Sequence, residues 1–139
     1  ISLMKTNDRD IAINFESKKV YYVNSDVEQL NRVFINLLKN SIESLKEKHE
    51  KIGNFNKKID VEIQLINDYI NIVVQDNGTG FTNNDLRIFS KPYFTTKKEG
   101  SGLGLSIVEK ILNDHNGFIE FIPQKEGAKI KILLPKYVN

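Results

Sequence analysis

Asn36 and Asn40 are the first residues along the chain whose types and spacing could do chemistry. Residues four apart lie on one face of a helix, and both asparagines border the apolar stripe through Val33 and Leu37. An amide at the edge of a core can offer its carbonyl oxygen to a hard cation and still donate a hydrogen bond from its nitrogen. By themselves the two residues are more typical of a pair of solvated helix asparagines, in a sequence rich in asparagine, and a cation site is the functional alternative.

A second group of candidates directly follows an apolar stretch, in the run from Asp76 to Phe81. A carboxylate such as Asp76 at the mouth of a sheet can accept a hydrogen bond from an exocyclic amine, and such a charge-assisted bond contributes about 1.5–3 kcal/mol. Gly78 and Gly80 permit positive φ angles and let a flat ligand approach the backbone closely. The pattern fits a pocket for such a ligand and an ordinary Asn-Gly turn equally well.

A third candidate is a glycine-rich run at the start of a predicted helix: Gly100, Ser101, Gly102, Leu103, Gly104 and Leu105. Glycines that lead into a helix N-terminus present free backbone N–H groups to an anion. Lys97 and Lys98 lie just upstream and can neutralise phosphate charge. The spacing is not that of a dinucleotide-binding fingerprint, and no strand immediately precedes the run. A phosphate cradle is predicted, with a flexible loop before a helix as the alternative.

The stretch from Phe89 to Lys97 lies between these glycine-rich runs and is rich in aromatic residues and threonine. Phe89 and Phe94 are large apolar groups in an otherwise polar loop. They are interpreted either as anchors of a mobile lid or as a docking surface for another domain. Packing onto the domain's own core is the alternative.

Hydrophobic alternation predicts the strands that position these candidates. Six strands are expected, at Ile11–Phe15, Val20–Val23, Ile59–Ile66, Ile70–Gln75, Phe118–Ile122 and Ala128–Leu134. Asn67-Asp68 is expected to form a hairpin turn. Because strands and helices are segregated along the chain, we expect an α+β fold, not a doubly wound one. The prediction is a single domain over residues 1–139, a two-layer α/β sandwich with a mixed sheet and its helices on one face.

Two helices are expected from their periodicity and end signals. The first begins at an N-cap in Ser25-Asp26 and runs to about His49. The second runs from near Leu103 to about Asp114, and Asn116-Gly117 is expected to cap its C-terminus.

The composition narrows the classes of function. Lys and Arg total 20 against 18 Asp and Glu, a net charge of +2 that excludes a strongly basic nucleic-acid binder of the usual kind. The absence of cysteine excludes disulfides, zinc–thiolate sites and cysteine nucleophiles. No stretch approaches the roughly 20 apolar residues that span a bilayer, so no membrane contact by this fragment is expected and a cytoplasmic setting fits. Ile1 at the first position suggests a fragment of a longer protein.

Taken together and in this order, these regions resemble the ATP-binding domain of histidine kinases, within the superfamily of gyrase, heat-shock chaperone and mismatch-repair ATPases. Asp26 to Ser44 is similar to the family's N box, Asp76–Phe81 to its first glycine box, Phe89–Phe94 to its F box and Gly100–Leu105 to its second glycine box. The stretch from Pro92 to Lys97 is most similar to the nitrogen-regulation type of sensor kinase. The resemblance implies a Bergerat-type ATP-binding fold with an ATP lid over about residues 82–100.

The resemblance also implies that ATP and Mg²⁺ bind here, and it assigns a role to each matching residue. Asn40 would coordinate Mg²⁺, and Asp76 would read the adenine amino group. Gly78 and Gly80 would shape the adenine pocket, while Gly100, Gly102 and Gly104 would cradle the phosphates. Lys97 is the lid candidate that reaches the terminal phosphate. The remaining expected contacts of the nucleotide are Asn36, Thr96, Ser101, Leu103 and Leu105. Asn36, Asn40 and Lys97 are the expected catalytic residues.

Asn36 occupies the position that separates kinases from hydrolases in this superfamily. Hydrolysing members place a glutamate general base four residues before the metal-binding asparagine, and an asparagine there cannot take a proton from water. The resemblance thus implies slow hydrolysis and a γ-phosphoryl group that is kept for a protein acceptor. A phosphoryl donor of this kind works mostly by positioning and charge neutralisation.

The sequence departs from the family pattern in two places. Ser90-Lys91 stand between the F-box phenylalanine and proline where many relatives have a single acidic residue, which changes the register of the lid. The phospho-accepting helix is missing, since the residues after His49-Glu50 do not continue it. His49 is expected to be a solvated helix-end residue with a favourable charge there. His115 is expected to have a capping or packing role, and neither histidine is expected to be the acceptor.

The leading prediction is an enzyme fragment that donates the ATP γ-phosphoryl group to a histidine on a separate dimerisation domain of its parent kinase, with a response regulator as an indirect partner. An anti-sigma-factor-type serine/threonine kinase shares the fold, although those relatives usually carry the glutamate absent at Asn36. A degenerate nucleotide-binding regulatory module is the third alternative. No nucleic-acid partner is expected, and the parent kinase could be anchored in the inner membrane.

Overall fold

The computed structural model describes residues 11–80, 102–122 and 124–137. These residues form seven elements of secondary structure. In chain order they are β1 (Ile11–Ser17), α1 (Val27–Ile52), β2 (Lys57–Ile66), β3 (Tyr69–Asp76), α2 (Gly102–Asp114), β4 (Phe118–Ile122) and β5 (Ala128–Pro135). Neither helix in these ranges is long and apolar enough to cross a membrane.

The strands form one sheet in the order β1-β2-β3-β5-β4. β1 and β2 pair in parallel, whereas all other neighbours are antiparallel. A parallel pair needs a long crossover connection, and α1 is that connection. The predicted mixed sheet is confirmed.

One face of the sheet and both helices share a single core. Buried residues alternate along the two central strands, at Ile70, Ile72, Val74 and Asp76 on β3 and at Ala128, Ile130, Ile132 and Leu134 on β5. Both helices contribute core side chains that are at most 1% exposed, namely Val33, Leu37, Leu45, Val108 and Leu112. The expected α+β sandwich with its helices on one face is therefore confirmed.

Helix α1 begins where the sequence predicts and ends slightly later. Asp26 is the N-cap, and its carboxylate accepts a hydrogen bond from Gln29 N at 3.2 Å. At the other end the helix runs to Ile52, beyond the predicted His49. Gly53 ends it with a φ of 82° and donates its backbone N–H to His49 O at 2.8 Å.

The predicted cap of α2 and the predicted hairpin turn are also confirmed. Asn116 has a φ of 58°, and Gly117 N donates to Leu112 O at 2.7 Å, which is a Schellman arrangement. Asn67 has a φ of 53° in the two-residue turn between β2 and β3, as the turns of tight hairpins require.

The prediction of a strand at Val20–Val23 is wrong. The alternation is real, because Tyr21 and Val23 pack against the core while Tyr22 is 71% exposed. However, within the described ranges the backbone of this segment makes a single hydrogen bond to a residue distant in sequence, from Tyr137 N to Tyr22 O at 2.8 Å. Burial of alternate side chains thus occurs here without a strand ladder.

Candidate functional site

Helix α1 carries a stripe of polar residues along the edge of the core. The residues of this stripe are spaced four apart, so each lies one turn from the next. They are Asn36, Asn40, Ser44 and Lys48. Both asparagines are half-buried, and Ser44 is buried. Asn36 and Asn40 therefore lie at the border of the core, where the sequence pattern predicts them.

Asp76 is the last residue of β3 and faces the helices, because it continues the alternation of the buried Ile72 and Val74. It is only 4% exposed. Its Oδ1 accepts a hydrogen bond from Gly78 N at 2.9 Å, and Ser44 Oγ lies 3.4 Å from the same oxygen. A shielded carboxylate is thus fixed at the end of a central strand and against α1, one helical turn from Asn40.

Burial raises the pKa of Asp76 above its ordinary value of 3.8, because removal from water disfavours the charged form. Hydrogen bonds from the backbone of Gly78 and Ala128 and from the hydroxyls of Ser41 and Ser44 lower the pKa and offset part of this effect. When ionised, a carboxylate in such a shielded setting accepts hydrogen bonds more strongly than one in water.

The turn that follows Asp76 is packed tightly against α1. Thr79 N donates to Ser44 O at 3.4 Å, and the hydroxyls of Ser44 and Thr79 lie 3.2 Å apart. A Cβ at Gly78 would overlap Ser44, and one at Gly80, whose φ is 78°, would overlap the carbonyl of Gly127. Both predicted glycines are therefore required by close backbone approach, but the expected positive φ occurs at Gly80 and not at Gly78.

The side chain of Asn77 fixes the other side of this turn. Its Oδ1 accepts from Lys58 N at 2.9 Å, and its Nδ2 donates to Asn56 O at 2.7 Å. The turn is consequently tied both to α1 and to the start of β2, so the position of the adjacent Asp76 is determined by two elements.

Sequence reasoning missed Ser44 as a functional side chain and Gly127 altogether. Ser44 reaches the Asp76 carboxylate from α1, as Ser41 does one turn earlier. Gly127 has a φ of 80°, and a Cβ there would overlap the carbonyl oxygen of Asp76. The only sequence signal for Gly127 was a glycine just before a predicted strand, which is common to many turns.

Helix α2 runs back along α1 towards the two asparagines. At its C-terminal end, His115 Nε2 accepts a hydrogen bond from Asp26 N at 3.0 Å, which joins the end of α2 to the start of α1. The two helices also pack together. At about 1.5 Å per residue, the length of α2 matches about half of α1. From this contact and these lengths we expect the first turn of α2, which begins at Gly102, to lie near the middle of α1, the stretch that contains Asn36 and Asn40.

Several predicted site residues lie outside the described residues. They are Phe81, Thr96, Lys97, Gly100 and Ser101, together with the lid over about 82–100 and the F box Phe89–Phe94. Gly102, Leu103, Gly104 and Leu105 lie in the first turn of α2, so the predicted start of a helix at this run is confirmed.

The two histidines differ from each other in their surroundings. The expected capping or packing role of His115 is confirmed, since its Nδ1 also lies 2.7 Å from Ile111 O and the ring joins two helix ends. His49 lies in the last turn of α1, as expected, but it is less solvated than expected. His49 is half-buried, and its Nδ1 is shielded from solvent without a hydrogen-bond partner among the described residues, because α1 continues past it to Ile52.

Across the described ranges, no cluster of three or more His, Cys, Asp or Glu side chains could hold a metal ion. Amide oxygens of asparagine are suitable ligands for a hard cation, and Mg²⁺ commonly takes few protein ligands together with substrate phosphates. The asparagine amide oxygens of α1 are too few to hold a cation by themselves. They suit a cation that is also bound by the phosphates of a ligand.

Comparison with known proteins relates this arrangement to a family. The sequence profile described as "Histidine kinase-, DNA gyrase B-, and HSP90-like ATPase" matches residues 25–138. A putative sensor histidine kinase, NtrY-like, from Rickettsia conorii is 39% identical over 108 residues, which are 77% of this chain and 17% of that protein. Sporulation kinase A from Bacillus subtilis is 33% identical over 127 residues, 91% of this chain and 20% of that protein. The chain thus spans a fifth or less of the length of these relatives.

Solved structures agree with this relationship. The catalytic domain of histidine kinase ThkA, in a nucleotide-free form, superimposes with a TM-score of 0.76 at 29% sequence identity. The match covers 91% of this chain and 80% of that domain.

Proposed function

Since the chain belongs to the family of histidine kinase-, DNA gyrase B- and HSP90-like ATPases, and is an ATP-binding catalytic domain of the histidine kinase type, we propose that it binds ATP together with Mg²⁺ and donates the γ-phosphoryl group to a histidine on a separate dimerisation domain. The parent protein is then a sensor kinase that serves a response regulator. The observation that carries the proposal is the buried Asp76 carboxylate, joined to α1 one turn from Asn40.

Asp76 is the residue proposed to recognise the adenine. Its Oδ1 is held by Gly78 N at 2.9 Å, and Ser44 Oγ makes a longer and therefore weaker hydrogen bond of 3.4 Å to the same oxygen. The serine can turn to Thr79 and leave an acceptor site for an exocyclic amine. Gly78 and Gly80 let this turn pack closely against Ser44 and Gly127, and that packing fixes the backbone on which the flat ring is proposed to lie.

The phosphate end of the nucleotide is proposed to lie between α1 and the first turn of α2. Free N–H groups in the first turn of a helix bind anions, and Gly102 and Gly104 expose them without side chains. Asn40 is the residue that would hold Mg²⁺, which would neutralise phosphate charge there. The remaining residues proposed to contact the nucleotide are Thr96, Lys97, Gly100, Ser101, Leu103 and Leu105.

Asn36 is proposed to keep the bound ATP from hydrolysis, because an amide cannot accept a proton from an attacking water molecule. Asn36→Glu should therefore raise the ATPase rate, measured by phosphate release at saturating ATP. An unchanged rate would remove this explanation of slow hydrolysis but would leave the nucleotide site as proposed.

Two assays together test the proposed function. Calorimetric titration with ATP, with and without Mg²⁺, should show binding to this chain. Incubation with labelled ATP and a helical hairpin that bears the phospho-accepting histidine should then yield acid-labile phosphohistidine. Label on a serine or threonine of an added substrate would indicate a different kinase, and binding without any transfer would indicate a regulatory module.

A further inference from the structure

The stripe of α1 that contains Asn36, Asn40 and Ser44 continues to Lys48, which the proposed chemistry leaves without a role. Lys48 Nζ donates to Asn77 O at 2.8 Å and pairs with Glu126 Oε1 at 3.1 Å. The ammonium group also lies 4.7 Å from the centre of the Phe55 ring. Its side chain is 16% exposed, so these contacts are largely shielded from water.

The carbonyl that Lys48 contacts belongs to the peptide unit that serves Asp76. This unit joins Asn77 to Gly78, and the N–H at its other end donates to Asp76 Oδ1 at 2.9 Å. A peptide unit is planar and rigid, so a contact that fixes its oxygen also fixes the direction of its N–H. A cation on the oxygen further polarises the unit and strengthens the N–H as a donor.

Lys48 also connects the turn to the loop before β5. Glu126 precedes Gly127, and Gly127 packs directly on the carbonyl of Asp76. Helix α1, the Asp76 turn and the β4–β5 loop therefore meet at a single ammonium group. Glu126 is 74% exposed, so the ion pair itself contributes little and the carbonyl contact is the important one.

We infer that Lys48 is a positioning residue for nucleotide recognition: by holding the Asn77–Gly78 peptide unit, it orients the Asp76 carboxylate towards the adenine. The inference rests on the proposed function of this site. It goes beyond that function in assigning a role to a residue that never touches the nucleotide.

Lys48→Met keeps the stem of the side chain but removes its donors. ATP affinity measured by calorimetry should fall by about tenfold, the loss that corresponds to one hydrogen bond to a charged group. Adenosine, measured by competition, should lose the same factor because the effect acts at the adenine end. Lys48→Arg retains a donor and a charge and should restore most of the affinity. In addition, the pH below which ATP binding is lost should move upward in Lys48→Met, because the Gly78 N–H that donates to Asp76 is then no longer polarised by a cation on its own peptide unit.

Lys136→Met is the matched control, since Lys136 forms an ion pair of 3.2 Å with Asp68 at the opposite end of β3. It should leave ATP affinity unchanged. If Lys48→Met does not fold, Lys48→Gln, which keeps a neutral donor, is measured instead, with a smaller loss expected. Wild-type affinity in folded Lys48→Met, or in Lys48→Gln where Lys48→Met does not fold, or an equal loss in Lys136→Met, would overturn the inference and leave the proposed function intact. Failure of the wild type to bind ATP would overturn both.

Discussion

The central strands β3 and β5 have turns with related chemistry at their two ends. At one end, Asp68 in the β2–β3 hairpin pairs with Lys136 at 3.2 Å. At the other end, Asp76 begins a turn that Lys48 holds, and Lys48 pairs with Glu126 at 3.1 Å. The burial of the two aspartates differs, because the Asp68 side chain is 84% exposed whereas Asp76 is 4% exposed.

This difference shows what converts a turn into a binding site. Both ends contain a carboxylate, a lysine and backbone in the left-handed region, so residue type does not distinguish them. At the Asp68 end water can satisfy every polar group. At the Asp76 end α1 and the β4–β5 loop exclude water, so each polar atom needs a specific partner, and a ligand can supply one.

Gly127→Ala should give the largest effect, since a Cβ there would overlap the Asp76 carbonyl in addition to straining a φ of 80°. We expect the free energy of unfolding to fall by about 4 kcal/mol or more, in the range of exceptional single substitutions. Gly53→Ala is the control: its φ is 82°, but nothing lies within 4 Å of the added Cβ. It should cost about 1–3 kcal/mol from backbone strain alone. Urea denaturation of both variants measures the difference, and equal losses would contradict the close packing at Gly127.

Asp76→Asn should weaken ATP binding by about 10- to 150-fold, the equivalent of a charge-assisted hydrogen bond. Asp68→Asn removes the same charge from the exposed turn and should not change ATP affinity. Calorimetric titration of both variants and the wild type makes the comparison. Equal behaviour of the two variants would mean that burial does not select the recognition residue.

The pH dependence of stability should carry the signature of Asp76. Its pKa is raised in the folded state, so between 3.8 and that raised value the folded protein binds more protons than the unfolded chain. Stability contributed by this group is thus greatest at low pH and is lost as pH rises through this window. Urea midpoints of the wild type relative to Asp76→Asn should therefore fall with increasing pH. A constant difference would show that Asp76 titrates alike in both states.

Lys136→Met should give the smallest effect. Its ion pair with Asp68 is exposed, with Lys136 at 41%, and such pairs contribute about 0–1 kcal/mol. The backbone bond from Lys136 N to Asp68 O at 3.0 Å is unaffected by the substitution. Urea denaturation should show a change within this range, which shrinks further in high salt. A larger loss would mean that this end of the sheet is less solvated than its exposure indicates.

Local signals allowed much of the fold to be predicted from the sequence. The N-cap at Asp26, the hairpin at Asn67 and the cap at Asn116 each depend on residues within a few positions, and all are confirmed. The segment Val20–Val23 was predicted wrongly because alternation reports burial on one side, whereas a strand also needs a partner for its backbone. No short-range signal distinguishes these two cases.

The site was predictable only where its residues carry a local pattern. Asp76, Gly78 and Gly80 stand in one turn and could be singled out. Ser44 meets Asp76 across 32 positions, and Lys48 meets Glu126 across 78, so their contacts arise only from the folded arrangement of α1 on the sheet. Neither residue type is unusual on a helix, and composition gives no reason to select them.

The pairing of Asp76 with Ala128 has a consequence for how the molecule assembles. The β2–β3 hairpin closes between neighbouring segments, but β5 must return from far along the chain, past α2 and β4, to cover β3. Long-range closures of this kind are slow relative to local ones. Because Gly127 and Ala128 complete the surroundings of Asp76, a refolding chain acquires helices and a hairpin before it can hold a nucleotide. Nucleotide capture during refolding should therefore lag behind the recovery of helical circular dichroism, and excess ATP would stabilise only the chains that have finished folding.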